Sequence, residues 1–243
     1  MKTCAIVQAR MGSSRLPGKV LKDLAGAPML ARVLTRLARA ETVDRVVVAT
    51  TVEPADEAVV GFCTASGWTV IRGSETDVLD RYHRAFKAHP AEAIVRITGD
   101  CPLVDPGVVD EVVGAFWKLS PDVSYVSNVV PLRTYPHGLD VEVFSAAALE
   151  RAWRDDANPA WREHVTPYLY RRSDLFRTHC VTRPVDDSTV RWTVDTQADF
   201  DRVSCIYDYF GTDTFTWEEA LIAEAAHPEW ALLNCDVMQR SVA

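Results

Sequence analysis

No apolar run in these 243 residues approaches the roughly 20 that a membrane span needs. The first apolar stretch, Cys4 to Val7, is too short for the core of a signal peptide and is followed at once by Gln8 and Arg10, so no secretion signal is expected. Cysteine is sparse and scattered: the six, at 4, 63, 101, 180, 205 and 235, form no CxxC pair and no grouped Cys/His set. That spacing suggests neither a zinc site nor a disulfide framework and reads as reduced, mostly buried thiols in a soluble cytoplasmic protein. Basic charge is in deficit too, with 26 Lys and Arg against 34 Asp and Glu and a net charge of −8. A nucleic-acid partner would need a basic stripe over much of the surface, so none is expected, and an anionic ligand must be met by a local cluster of cations.

What is present is 48% hydrophobic and 25% charged residues, enough for one sizeable core and a single domain over residues 1–243. Strand-type runs (Thr3 to Ala9, Asp44 to Thr50, Trp68 to Arg72, Glu92 to Thr98) alternate with helix-type segments (Pro28 to Ala40, Pro54 to Ser66, Asp77 to Ala88, Val108 to Leu119). This alternation predicts an α/β fold with a doubly wound, mostly parallel sheet and helices on both faces. Residues 1–120 would then form a ligand-binding half, because ligands sit at the carboxyl ends of such strands. Residues 121–210 are less regular, with strands expected at Val123 to Ser127, Leu139 to Phe144, Leu175 to Cys180 and Thr189 to Thr193. Helices are expected there near Ser145 to Arg154, Trp161 to Arg172 and Ala198 to Tyr209, and residues 211–243 read as a helical tail.

The cation cluster lies directly after the first strand, in Gln8-Ala-Arg-Met-Gly-Ser-Ser-Arg-Leu-Pro-Gly-Lys19. Glycines let backbone N–H groups approach an anion, and Arg10, Arg15 and Lys19 can offset a triphosphate's charge. It is not a P-loop: five residues separate Gly12 from Gly18, and Val20 follows Lys19. An ordinary βα loop of Gly, Ser, Pro and Arg would have a similar composition. Two carboxylates carry the next signal. Asp100, in Thr98-Gly-Asp-Cys-Pro-Leu103, would leave the fourth strand toward the same crevice and could hold Mg²⁺, or simply mark a turn. Asp195, in Arg191-Trp-Thr-Val-Asp-Thr196, reads more simply as a helix cap shared with Thr196.

Three further segments are dense in polar groups. His137-Gly-Leu-Asp-Val-Glu-Val-Phe144 alternates so that Asp140 and Glu142 share one strand face, suited to sugar hydroxyls or to solvent. Trp161-Arg-Glu-His-Val-Thr-Pro-Tyr168 sets Arg162, Glu163 and His164 in sequence, where a helix cannot point all three one way. Ser74 to Arg84 places Asp77, Asp80, Arg81 and Arg84 at spacings that ordinarily give ion pairs along a helix.

The string ARMGSSRLPGK, the GDxP pattern and the late Asp-Thr pair resemble, in that order, the cytidylyltransferases that activate 3-deoxy-manno-octulosonate and acylneuraminates. With REHVTPY, the chain looks closest to the branch typified by spore coat polysaccharide biosynthesis protein F. The resemblance implies a Rossmann-like nucleotide-diphospho-sugar transferase fold and a Mg²⁺-dependent enzyme that couples CMP from CTP to a sugar or sugar acid and releases pyrophosphate. It implies nucleotide contacts from Ala9, Arg10, Gly12, Ser13, Ser14, Arg15, Lys19, Arg81, Thr98 and Asp100, with Thr76 and Asp77 in the same segment as Arg81. Arg10, Arg15 and Lys19 would act in catalysis and Asp100 and Asp195 would bind metal. His137, Asp140, Glu142, Glu163 and His164 would contact the acceptor, residues 121–210 would be the acceptor-sugar half, and a homodimer is possible. Thr98 stands where the octulosonate enzymes carry a base-reading Gln, so the chain departs from them there. Alternatives from the residues are a sugar-1-phosphate nucleotidyltransferase, for which Arg133 or Arg162 could supply the extra cation, a glycosyltransferase, and a non-catalytic nucleotide-binding protein.

Overall fold

The computed structural model describes residues 2–238. The first half alternates strictly: β1 (Thr3–Gln8), α1 (Met29–Leu37), β2 (Arg45–Thr51), α2 (Glu57–Ala65), β3 (Thr69–Gly73), α3 (Val78–Ala88), β4 (Ala93–Thr98) and α4 (Pro106–Leu119). The second half holds β5 (Tyr125–Ser127), β6 (Glu142–Ser145), α5 (Ala146–Asp155), α6 (Pro159–His164), α7 (Pro167–Arg171), β7 (Thr178–Cys180), α8 (Gln197–Phe210), α9 (Trp217–Ala226) and α10 (Glu229–Leu232). They build one seven-stranded sheet in the order β3-β2-β1-β4-β6-β5-β7. The strands β1 to β4 pair in parallel, and β6 runs antiparallel to both β4 and β5. The expected doubly wound, mostly parallel α/β sheet is therefore what forms.

Residues of β1 alternate between two cores, as a strand buried on both faces requires. Ala5 and Val7 pack with α1, α4 and α8, while Cys4 and Ile6 pack with α3, α5 and α7. Helix starts follow their caps: Asp105 accepts from Gly107 and Val108 at the start of α4, and Ser145 accepts from Ala148 at α5. No helix among the described residues is long and apolar enough to cross a membrane. All six cysteines are free, but only Cys4, Cys63 and Cys101 are buried, and Cys235 is exposed.

Differences from the sequence expectation cluster in the second half, each with a local cause. The run Leu139 to Phe144 becomes a strand only from Glu142, because the Asn128 side chain takes the Val141 N–H and donates to the Leu139 carbonyl, replacing strand partners. Thr189 to Thr193 forms no strand; it keeps an isolated bridge between Arg191 and His137. The single helix expected over Trp161 to Arg172 breaks at Val165, whose φ of 70° interrupts the helix before Pro167 begins α7. The tail is helical as expected through α9 and α10; its last residues, 239–243, lie outside the described residues.

Candidate active site

Two loops meet where β1 and β4 end side by side, with Gln8 opposite Thr98. Gly99 makes that meeting possible. Its N–H donates to the Gln8 carbonyl at 2.8 Å, and a Cβ there would lie 2.9 Å from that oxygen and 3.1 Å from the Ala9 Cβ. The GD pair is thus a close backbone approach as well as a turn. On the other side, Gly18 closes the basic loop at φ 72°, with its N–H and that of Ser13 both on the Met11 carbonyl. The buried Asp56 then ties the loop to the sheet by accepting from the Met11 N–H at 2.6 Å and from the Thr51 hydroxyl.

Lys19, in a short 3₁₀ turn, is the centre of the charge cluster. Its Nζ lies 3.1 Å from Asp100 Oδ2, 3.0 Å from Asp195 Oδ1 and 2.7 Å from the Val194 carbonyl. Arg15 and Arg191 reach the other Asp195 oxygen at 2.8 and 3.0 Å. Burial opposes the Lys19 charge, but Asp100 and Asp195 outweigh it and hold the ammonium above its ordinary range. Burial likewise works against the Asp100 carboxylate, and Lys19 and the Thr98 hydroxyl at 2.6 Å bring it below the usual carboxylate value. Asp195 is not the helix cap. Thr196 caps α8 in a reciprocal box with Asp199, which leaves the Asp195 carboxylate to turn toward Lys19.

Most residues nominated from sequence border one cleft of about 730 Å³: Ala9, Arg10, Gly12, Ser13, Ser14, Arg15, Lys19, Arg81, Thr98, Asp100, His137, Asp140, Glu142, Glu163, His164 and Asp195. Their pairing differs across it. Arg10 meets Glu75 in a half-exposed contact of 3.2 Å. Arg81 is buried, with Nη1 on the Ser74 and Glu75 carbonyls, and the absent Gly73 side chain makes room for its stem. Asp140 is clasped by Arg133 through two bonds of 2.6 and 2.8 Å. Glu142 is buried and accepts from Arg96 at 2.5 Å, the Tyr125 hydroxyl at 2.6 Å and the Thr166 hydroxyl at 2.8 Å. Burial and then Arg133 push His137 down to about 4, and burial with Arg96 lowers His164, so both imidazoles are neutral near pH 7.

Some nominated neighbours stand apart. Asp77 caps α3 and binds Arg162 at 2.8 Å; neither borders the cleft, and nor does Thr76. Sequence reading passed over Gln8, Glu75, Arg96 and Arg171, which do border it. Arg96 carried a usable signal, being a charged residue inside an otherwise apolar strand. Gln8 and Arg96 each hold a buried polar atom, Oε1 and Nε, with no partner among the described residues.

The sheet order, with a basic loop after β1 and Asp100 after β4 facing Asp195 across Lys19, puts a cluster of charges at the strand ends of an α/β protein, where ligands of such folds sit. A family model described as cytidylyltransferase matches residues 4–210, and the chain belongs to that family: it is a nucleotidyltransferase. It is 34% identical to the spore coat polysaccharide biosynthesis protein SpsF of Bacillus subtilis over 85% of this chain and 86% of that one. It is also 34% identical to a 3-deoxy-manno-octulosonate cytidylyltransferase of Mesorhizobium japonicum, over 73% of this chain and 78% of the relative. A solved cytidylyltransferase of Leptospira borgpetersenii superimposes with TM-score 0.90 at 31% identity, covering 100% of this chain and 99% of the other.

Proposed function

We propose that the enzyme transfers CMP from CTP to a hydroxyl of a sugar or sugar acid, with Mg²⁺, and releases pyrophosphate. One observation carries this reading. Lys19, the last residue of the triphosphate-type loop, is bracketed by Asp100 and Asp195, so three distant segments converge on a single cation position inside the cleft.

That convergence also supports a metal. Among the described residues no group of three or more His, Cys, Asp and Glu is arranged so that it could hold a metal ion. Two carboxylates suffice for Mg²⁺, which completes its shell with phosphate oxygens and water. Asp100 and Asp195 would hold the ion, which supplies Lewis-acid charge stabilisation on the α-phosphoryl group.

The residues of the chain do the rest by positioning and charge. Lys19, Arg15 and Arg10, drawn from their present carboxylate partners onto the β and γ phosphates, offset the charge that grows on pyrophosphate. An acceptor oxygen attacks the α-phosphorus, the bond from that phosphorus to the bridging oxygen breaks, and the hydroxyl proton passes to solvent. The acceptor side offers neutral His137 and His164 and the carboxylate of Asp140, which bind hydroxyls without adding positive charge. A sugar phosphate acceptor would want a cation there. Arg133 borders the cleft but is already clasped by Asp140, and Arg162 lies outside it with Asp77, which favours a hydroxyl nucleophile. Pyrophosphate release with CTP, UTP, GTP and ATP against a panel of sugars, sugar acids and sugar 1-phosphates tests the reading. Release is expected with CTP and a non-phosphorylated acceptor; tight CTP binding without release for any acceptor would refute it.

A further inference from the structure

The family match ends at residue 210, yet a residue well beyond it reaches the base of the charge cluster. Asn234 follows α10, is only 3% exposed, and sits between two buried ion pairs, Arg191 with Asp199 and Arg202 with Glu224. Its Nδ2 donates to Asp199 Oδ1 at 2.8 Å and to the Arg191 carbonyl at 3.2 Å. Its Oδ1 accepts from Arg202 Nη1 at 2.8 Å, and Arg202 is itself held by Glu224 of α9 through two bonds of 2.7 Å. Asp199 in turn accepts from Arg191 Nε at 2.9 Å and from the backbone N–H groups of Asp195 and Thr196. Arg191 then contacts Asp195 at 3.0 Å.

We propose that Asn234 is a positioning residue for Asp195, so that the C-terminal segment is part of the support of the metal-binding side of the site. The inference rests on the metal role given to Asp195 above. When Lys19 and Arg15 turn to phosphate, Asp195 loses two of its cation partners and Arg191 stays beside it. The orientation of Arg191 is then set by Asp199 and, through it, by Asn234. An amide is needed because this position must donate to a carboxylate and accept from a guanidinium at once. A carboxylate at 234 would face Asp199 directly, and an aliphatic side chain would leave Asp199 and Arg202 each one partner short.

The test is Mn²⁺ binding followed by electron paramagnetic resonance in the presence of the non-transferable analogue α,β-methylene-CTP, together with the metal dependence of turnover. Wild type is compared with Asn234→Leu, the milder Asn234→Ser, and Leu221→Ala, a packing change on α9 that removes none of the network's hydrogen-bonding groups. Loss of an outer partner of a metal ligand typically weakens metal binding about 10- to 100-fold. Asn234→Leu is expected to raise the Mn²⁺ Kd by about tenfold, and Asn234→Ser by less. The metal concentration for half-maximal rate should rise in step, while kcat at saturating metal changes by less. Leu221→Ala should lower Tm and leave the Mn²⁺ Kd unchanged. Equal shifts in Kd for Asn234→Leu and Leu221→Ala, or no shift for either Asn234 variant, would overturn the inference. Asp195→Asn separates the two levels: if it leaves Mn²⁺ binding intact, the metal role of Asp195 fails, and the positioning role fails with it.

Discussion

The two sides of the cleft treat charge differently. On the proposed nucleotide side, Lys19, Arg15 and Arg10 pair with Asp100, Asp195 and Glu75, which come from other segments and are partly open to solvent. On the proposed acceptor side, Arg96 with Glu142 and Arg133 with Asp140 are neighbours across or beside β6, and Glu142 has three side-chain donors around it. In the proposed reaction the cations of the first set have a better partner in a triphosphate, whose place the carboxylates hold. The second set is closed. It fixes the shape of the pocket, and breaking it leaves a buried charge.

The largest test of that contrast is Glu142→Leu. Removing one partner of a buried pair typically costs about 3–5 kcal/mol, so this variant is expected to lose that much in urea unfolding, with any remaining activity showing an ordinary KM for CTP. Lys19→Ala should do the reverse. Turnover measured by pyrophosphate release is expected to fall by about 100-fold or more, the scale of losing one electrostatic stabiliser of the transition state, with a smaller loss in unfolding than Glu142→Leu because Asp100 and Asp195 stay partly open to solvent. A turnover within a few-fold of wild type would mean that Lys19 does not serve the phosphates. Gly99→Ala tests the joint between the two strand ends. Its Cβ would be forced to 2.9 Å from the Gln8 carbonyl, and overpacking of this kind costs about 1–3 kcal/mol.

The pH dependence separates the two sides by its window. The His137 value of about 4 in the fold lies below its ordinary 6.5, so the neutral form is favoured. That contribution is fully present above 6.5 and declines as pH falls toward 4, where the unfolded chain binds the extra proton. His137→Gln should flatten the fall in Tm over that range. The depressed Asp100 acts lower: its contribution is present above the ordinary 3.8 and is lost only as pH falls through its folded value. The smallest effect is expected from Glu75→Gln. This half-exposed partner of Arg10 should change stability by less than about 1 kcal/mol, and a denaturation curve displaced further than that would place the pair with the closed set.

Much of the site was legible in sequence because its chemistry is concentrated in short strings. Arg10, Gly12, Arg15 and Lys19 share one loop, and the GD pair follows a strand whose apolar pattern is plain. The second half was harder to read, since single residues reset the course of its backbone. Asn128 holds off the start of β6 until Glu142, and Val165 breaks a helix that the residues on either side would otherwise continue. Asp195 was legible as one of two things, and the choice depended on Thr196 and Asp199 completing the cap without it. Arg96 stood out as a charge in an apolar strand, but Gln8 and Asn234 gave little warning, because a single neutral polar residue acquires meaning only from what the fold sets beside it.

By itself, then, the sequence determined the alternating α/β architecture, the loop that can receive a triphosphate, and the two aspartates in order. Periodicity and local strings encode these, and neither needs a distant contact to be read. The tertiary structure decided that Lys19 lies between Asp100 and Asp195, that Arg96 and Arg133 are spent on Glu142 and Asp140, and that Asn234 reaches Asp199. Those are pairings of charges up to 176 positions apart, and electrostatic partners at such separations are selected by how the sheet closes, not by spacing along the chain.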